Sequence, residues 1–402
     1  MTIEALEDGT FTLTIPASVD TTRVTSVSYS LDDGRTWTTT QNSSSEVVIT
    51  TPTVSSGDTV MWKGIAVGYH ALGSTATESN GAKFSSTGTF NLYGELLSLI
   101  YGDNFLTNRE VTSMFNFMGL FYQSKVVDAS DLIFPDNTDI PQRYTQGMFR
   151  GCTELIYGPR KIMSEDTTLI RERGIIEMFM GCTSMISGPE HLYGATAYIG
   201  AFQQMFDGCT NLRTAPELHQ IQLSGYGYYQ MFRDCKSLTV APTIVATTFP
   251  LTYGYHCANM FHRCSALTTA DFVLQPSAIG DRTYQEMFRE CSNLVTGPTV
   301  NATSASGINS LMSMFLGDSK LEYSSPFELK IGTLVNGCYS HLFYQCRKIN
   351  NVKLLATDVS ATNCLQNWLY GVATGGTLTA TAGLNLPTGV NGVPTSWTLI
   401  EI

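Results

Sequence analysis

The sequence predicts a mainly β chain with short helices, in which an N-terminal β-sandwich is followed by a solenoid of about ten coils. Three observations predict it. The motif Met-Phe-x-x-Cys-x-x-Leu recurs with a near-constant period, several copies are trailed by a short segment marked by proline, and the first 93 residues alternate as strands do. The motif is complete at Met148–Leu155, Met205–Leu212, Met231–Leu238, Met260–Leu267 and Met287–Leu294, and Met185 takes the last slot of the Met178 copy. Degenerate copies start at Leu120, Met314, Leu342 and Trp368, with Ser124, Asp318, Cys346 and Val372 in the cysteine slot. Successive starts lie 26 to 30 residues apart. No single coil can bury its own Met, Phe and Leu, whereas stacking gives each a neighbour above and below.

From the N-terminus, residues 1–93 carry the sandwich pattern. Phe11–Ile15 and Val27–Leu31 alternate with period two, and Val47–Ile49, Val60–Ile65 and Phe84–Tyr93 add further strands. Turn signals separate them at Asp32-Asp33-Gly34, Asn42-Ser43-Ser44, Ser55–Asp58 and Asn80-Gly81. Six or seven short strands fit an immunoglobulin-like sandwich, without the cysteine pair of an antibody domain. Ser30–Trp37 matches the S-x-D-x-G-x-x-W hairpin called the Asp box, common in sialidase propellers. One copy, with no arginine triad or acidic pair beside it, reads as an Asp-Gly hairpin closed by a tryptophan.

Residues 94–119 form a linker and N-terminal cap, in which Leu96, Leu97, Leu99 and Ile100 cover the first coil. The solenoid occupies residues 120–376. In each coil, the residues before the motif and the Met-Phe pair are expected to make a short helical turn. A strand follows, opened by proline as in Ala215-Pro216-Glu217-Leu218, and strands of successive coils stack into one parallel sheet. Residues 377–402 form a C-terminal cap, read as a hairpin from Thr377–Ala382, Val390–Val393 and Trp397–Ile400 that hides the last open edge.

Composition excludes several function classes. Charged residues make up 14% of the 402, and 23 basic against 34 acidic residues leave a net charge of −11. No Lys/Arg stripe is available to neutralise phosphate, so no nucleic-acid partner is expected. No run of 18 apolar residues predicts a membrane helix, and no membrane insertion is expected. Met1–Asp8 has neither the basic nor the apolar region of a secretory leader.

The ten cysteines and six histidines suggest no chemistry. Seven cysteines, Cys152, Cys182, Cys209, Cys235, Cys264, Cys291 and Cys346, share one slot, while Cys257, Cys338 and Cys364 precede a motif start. Equivalent slots form a ladder of small buried thiols, and the replacement of Cys by Asp, Ser and Val argues against a disulfide or zinc ligand. His70, His191, His219, His256, His262 and His341 show no metal-ligand spacing and are expected on the surface or inside coils. No serine elbow, phosphate loop or dinucleotide fingerprint is visible, so neither an enzyme nor a cofactor nor a metal is expected.

The Met-Phe-x-Gly-Cys-Thr-x-Leu cores and the Ala/Gly-Pro-Glu/Thr-Leu strands after them resemble the BspA-like leucine-rich repeat family of gut Bacteroides and their phages. Cys338 and Cys364, Phe84–Asn91 leading into Leu97–Asp103, and the ending Gly389–Thr398 resemble that family too, so the likeness covers nearly the whole chain. It implies a right-handed leucine-rich-repeat-type solenoid, no catalysis, and a role in adhesion or recognition. With no leader, the expectation is a phage virion protein of head or tail that contacts other virion proteins and a host-surface protein or glycan. The alternative is a bacterial cell-surface adhesin whose signal peptide has been removed. A homo-oligomer, for instance a trimer, is compatible with the architecture. The family transfers no functional residues, so a binding flank is chosen from strand positions that vary: Tyr157, Arg160, Glu190, His191, Arg213, Glu217, Tyr323 and Glu328. The aromatic residues before the motifs, Tyr226, Tyr228, Tyr229, Tyr253 and Tyr255, either stack on sugars or pack on the next coil.

Overall fold

The computed structural model describes residues 1–70 and 81–402. Asn80 of the expected Asn80–Gly81 turn lies outside them. The chain is mainly β with almost no helix, and its repeats form a β-solenoid of about nine turns. It divides into two compact units, one of Met1–Ala195 with Met205–Pro216, the other of Thr196–Gln204 with Glu217–Ile402.

The first unit begins with β1 (Thr2–Ala5), β2 (Phe11–Ile15), β3 (Val24–Ser30), β4 (Thr38–Gln41), β5 (Val47–Thr50), β6 (Thr59–Ala66), β7 (Lys83–Ser86) and β8 (Phe90–Glu95). Antiparallel pairing orders β8-β1-β6-β3-β4 in one sheet and β5-β2-β7 in another. Alternation decides which side chains meet between them. Phe11 stands edge-on to Phe90 at 5.5 Å, and Trp62 to Phe84 at 5.0 Å, so the two sheets share an aromatic core. This is part of the expected sandwich. Past the four-residue helix α1 (Ser98–Tyr101), β9 (Val126–Asp128) and β10 (Leu132–Ile133) both pair in parallel with β8. β8 thus pairs both with β1 of the antiparallel sheet and with the first strands of the repeats.

The coil interior is a set of columns. In the first unit Phe84, Phe121, Phe149, Phe179 and Phe206 stack with centroids 5.3–5.7 Å apart and planes within 16°. In the second, Phe232, Phe261, Phe288, Phe315 and Phe343 do the same at 5.1–5.8 Å. The motif methionines and leucines beside them are fully buried. All ten cysteines are buried free thiols. The column cysteines also have a bonding role: Cys152, Cys182 and Cys209 donate Sγ–H to the carbonyls of Phe121, Phe149 and Phe179 at 3.0 Å. Cys264, Cys291 and Cys346 donate likewise to Phe232, Phe261 and Phe315.

The expected helical turn before each motif is not helical. Around Met231, the amides of Tyr226, Tyr228, Gln230, Phe232 and Asp234 donate to carbonyls of the next coil, from Gly254 to His262, at 2.9–3.1 Å. The amides between them, from Gly227 to Cys235, bond three residues back. The segment is a string of overlapping β-turns in which every second amide is committed between coils, so an i−4 ladder cannot form. A left-handed residue falls at every fourth position, as at Tyr226 (φ 59°), Gln230 (φ 55°) and Asp234 (φ 60°). The same three slots recur in coil after coil, for example Arg282, Glu286 and Glu290.

The expected single parallel sheet is instead several short ladders. Val273–Leu274 pairs with Thr299–Val300, and Ala278–Ile279 with Ser304–Ala305, on two separate edges of the same coils. The C-terminal hairpin is likewise corrected. Phe327–Leu329, Asn351–Leu354, Thr377–Ala380 and Thr398–Glu401 form one four-stranded sheet, all parallel. The loop of residues 381–397 carries the chain back to the starting side, so the last strand extends the stack rather than folding over it. The Trp368 and Trp397 indoles fix that loop by donating to the Gly392 and Ala373 carbonyls at 2.9 and 2.7 Å.

Candidate functional site

Ion pairs between neighbouring coils follow from the period. Residues about one repeat apart lie side by side, so opposite charges at that separation meet. In the first unit Arg109 pairs with Asp136 at 2.8 Å, Arg150 with Glu177 at 2.7 Å, and Arg160 with Asp131. In the second, Arg263 pairs with Asp234, Lys348 with Glu322, and Lys353 with Glu328, at 2.9–3.0 Å.

The varied strand positions are shared between the two units. In the first unit Tyr157 is 45% exposed and bridges its neighbours through backbone only. Arg160 and Glu190 are exposed and adjacent, the Glu190 amide donating to the Arg160 carbonyl at 3.0 Å. His191 is half-buried and stacks on Tyr193 at 5.2 Å, and Arg213 is exposed. In the second unit Glu217 is exposed with its carboxylate 3.8 Å from His219, and Glu328 is held below the usual carboxylate range by its bond to Lys353. Tyr323 belongs to the packing: its hydroxyl donates to the Pro298 carbonyl at 3.0 Å, its ring leans on Phe327, and burial pushes the phenol up.

Arg160 does line a hollow of about 600 Å³, with Arg109, Lys161, Asp131, Asp136 and Phe134. Sequence reading missed the other members. Three cations face two carboxylates there, and hydrogen bonds from Arg109 to Asp136 keep that guanidinium charged. The separation of one repeat between Arg109 and Asp136 is the signal that could have found the pair.

The aromatic residues before the motifs divide into two kinds. Tyr228 is fully buried, and its hydroxyl donates to Gln220 Oε1 at 2.5 Å. Tyr226, Tyr229 and Tyr255 are half-buried on the turn face. Tyr226 and Tyr255 stack face to face at 4.9 Å and 13°, and Tyr229 stands edge-on to both at 5.6 and 5.8 Å. The Arg282 guanidinium lies 5.2 Å over the other face of Tyr255. Partial burial pushes the Tyr226 and Tyr229 phenols up, so both remain neutral donors and acceptors.

Titratable groups elsewhere are spent on structure. Asp32 of the Asp box accepts from the Thr36 amide at 2.8 Å, the Thr36 hydroxyl at 2.6 Å and the Ser30 hydroxyl at 2.7 Å, which holds it at about 2. Trp37 closes that hairpin by donating to the Gly34 carbonyl. His256 is buried against Phe249 at 4.6 Å, and burial lowers it to about 4. Burial pushes the Cys152 and Cys338 thiols up to about 12, far from the range of a reactive thiolate. Among the described residues, no helix is long and apolar enough to cross a membrane. No family model, curated protein or solved structure matches the chain.

Proposed function

We propose that this chain is a non-enzymatic recognition protein of BspA-like leucine-rich repeat type, carried on a phage virion. In this reading an immunoglobulin-like sandwich attaches it to other virion proteins, and the solenoid displays its flanks to a host-surface protein or glycan. The observation that carries the reading is the division of labour within each coil. The letters that repeat are buried in columns, whereas Tyr, Arg, Glu and Gln alternate at the left-handed slots, where the backbone is the same whatever the residue. A frame that holds its shape while its surface varies suits recognition. The hydroxyl-rich surface of low charge and the family resemblance support placement on a particle.

Mass spectrometry of purified particles, paired with binding of the purified chain to host cells, tests it. The expected result is the chain in stoichiometric amounts in particles and saturable retention on host cells. Its absence from particles together with recovery from a bacterial envelope fraction would replace the virion reading with that of a cell-surface adhesin. Turnover of a glycan substrate would remove the non-enzymatic reading.

A further inference from the structure

The hollow beside Arg160 lies wholly within the first unit, and its cations are unequally engaged. Arg109 is fully used: Nε and Nη2 donate to Asp136 Oδ2 at 3.2 and 2.8 Å, and Nη1 donates to Glu95 Oε1 at 3.4 Å. Arg160 donates to Asp131 Oδ1 through Nη2 alone, which leaves Nε and Nη1 without an acceptor among the described residues. Lys161 makes no hydrogen bond to them at all, and its nearest carboxylate oxygen is Asp136 Oδ1 at 4.0 Å. The Arg160 and Lys161 side chains are 61% and 59% exposed, so both are open to a ligand.

The acceptors are unequally engaged as well. Asp131 uses Oδ1 for Arg160, and Asp136 uses Oδ2 for Arg109. Asp131 Oδ2, Asp136 Oδ1 and the Ser130 hydroxyl accept no hydrogen bond from the described residues, although all three side chains line the hollow. Unspent donors and unspent acceptors therefore stand side by side, whereas a purely structural cluster of ion pairs would consume both. The apolar part of the lining includes Phe134 and Met163, both buried, and Ile133, which is 43% exposed.

We infer that this hollow binds a sugar residue carrying a single carboxylate, as a uronic or a sialic acid does. The Lys161 ammonium and the free edge of the Arg160 guanidinium supply charge-assisted donors for the carboxylate. The free oxygens of Asp131, Asp136 and Ser130 accept from ring hydroxyls, and Ile133 offers apolar surface to the C–H face of the ring. Three cations against two carboxylates suit one negative charge on the ligand. A polysulfate or a nucleic acid would bring many negative charges to a chain of net charge −11, and a neutral sugar would leave Lys161 unused. The inference rests on the recognition reading and deepens it by naming the ligand class and the place.

Calorimetry of the full chain tests it with two acidic probes, oligogalacturonate and sialyllactose, against their neutral counterparts, oligogalactose and lactose. Acetate and dextran sulfate report the effect of charge alone. Lys161→Met removes the charge from a side chain that makes no hydrogen bond, Lys161→Arg keeps it, and Asp131→Ala removes a hydroxyl acceptor while making the hollow more positive. Exposed ion pairs contribute little to stability, so all three variants should unfold near the temperature of the parent. At least one acidic probe should bind, with its neutral counterpart weaker by about tenfold or more. Lys161→Met should lose about tenfold or more, and Lys161→Arg should keep most of the affinity. Asp131→Ala should weaken the acidic sugar but not acetate or dextran sulfate. Which acidic probe binds tells a polyuronate from a sialylated surface. Equal binding of acidic and neutral sugars, dextran sulfate binding as tightly as the acidic sugars, tighter sugar binding by Asp131→Ala, or no effect of Lys161→Met would overturn the inference. Binding of neither acidic probe would also overturn it; saturable retention on host cells would then leave the recognition reading in place, and absence of any cell or particle binding would remove both.

Discussion

Asp318 should destabilise the solenoid at neutral pH, and replacing it with cysteine should strengthen it. The residue stands in the cysteine column between Cys291 and Cys346, is fully buried, and neither of its carboxyl oxygens has a hydrogen-bond partner. Burial is the largest influence on the carboxyl and pushes it well above its ordinary value; nearby Glu290 adds to that and the Cys291 amide partly opposes it. A folded-state value raised above the unfolded one means that stability is fully present below the unfolded value near 3.8 and is lost as pH rises toward the folded value. The loss accrues at about 1.4 kcal/mol per pH unit, so a carboxyl still protonated at pH 7 costs at most about 4 kcal/mol. In Asp318→Cys the new thiol would take the Phe288 carbonyl as its neighbours take those of Phe261 and Phe315. We expect a gain of about 2–4 kcal/mol at pH 7 that shrinks toward zero near pH 4, read by urea unfolding followed by circular dichroism. Asp318→Asn, which cannot ionise, should share the pH-independence of the cysteine variant but not all of its gain. A difference between Asp318→Cys and parent that stays constant from pH 4 to pH 8, or a less stable cysteine variant, would refute the reasoning.

Three further predictions concern the columns and turns. The thiols should be inert to an aromatic disulfide reagent in the native protein at pH 8, and all ten should react after denaturation; a stoichiometric native reaction would contradict the buried column. Phe261→Ala, between Phe232 at 5.5 Å and Phe288 at 5.1 Å, should cost about 3–5 kcal/mol in urea unfolding, and a cost below 1 kcal/mol would mean that the stack relaxes around the gap. Gly208→Ala forces a side chain to φ 76° and should cost about 1 kcal/mol or more by the same measurement, with no change expected if that turn instead flips to another conformation.

The stacked coils were legible because burial repeats. Met231, Phe232, Cys235 and Leu238 recur at fixed spacing since each must meet its equivalents above and below, and that requirement writes itself into the sequence. The turn string was not legible. Gly227-Tyr228-Tyr229-Gln230 reads as the start of a helical turn because two apolar residues follow it, and nothing local reveals that alternate amides leave for the next coil. The C-terminal strand misled for a similar reason: Asn391–Gly392 is a sound turn signal, yet it lies within a loop that returns the chain in parallel. Of the candidate site, Arg160 was chosen as a varying strand position and does line the hollow, whereas Tyr323 varied for reasons of packing against Gly297 and Phe327.

The left-handed slots explain why variation and function can share the same positions here. A left-handed residue elsewhere is usually glycine or asparagine, because the backbone must find that conformation unaided. In these coils the amides on both sides of the slot are bonded to the neighbouring coil or three residues back, so the conformation is imposed by about two hydrogen bonds per residue pair. Glycine at Gly181, glutamate at Glu290, arginine at Arg263 and tyrosine at Tyr226 therefore adopt it alike. The strain of a bulky side chain, about 1 kcal/mol, is small against the several bonds that each coil makes with the next. Side chains at these slots are thereby freed from setting the backbone conformation, and some of them, such as Glu177, Asp234 and Arg263, tie one coil to the next through ion pairs. Residues can therefore be exchanged at these slots for about 1 kcal/mol of backbone strain, while the turn string keeps its shape.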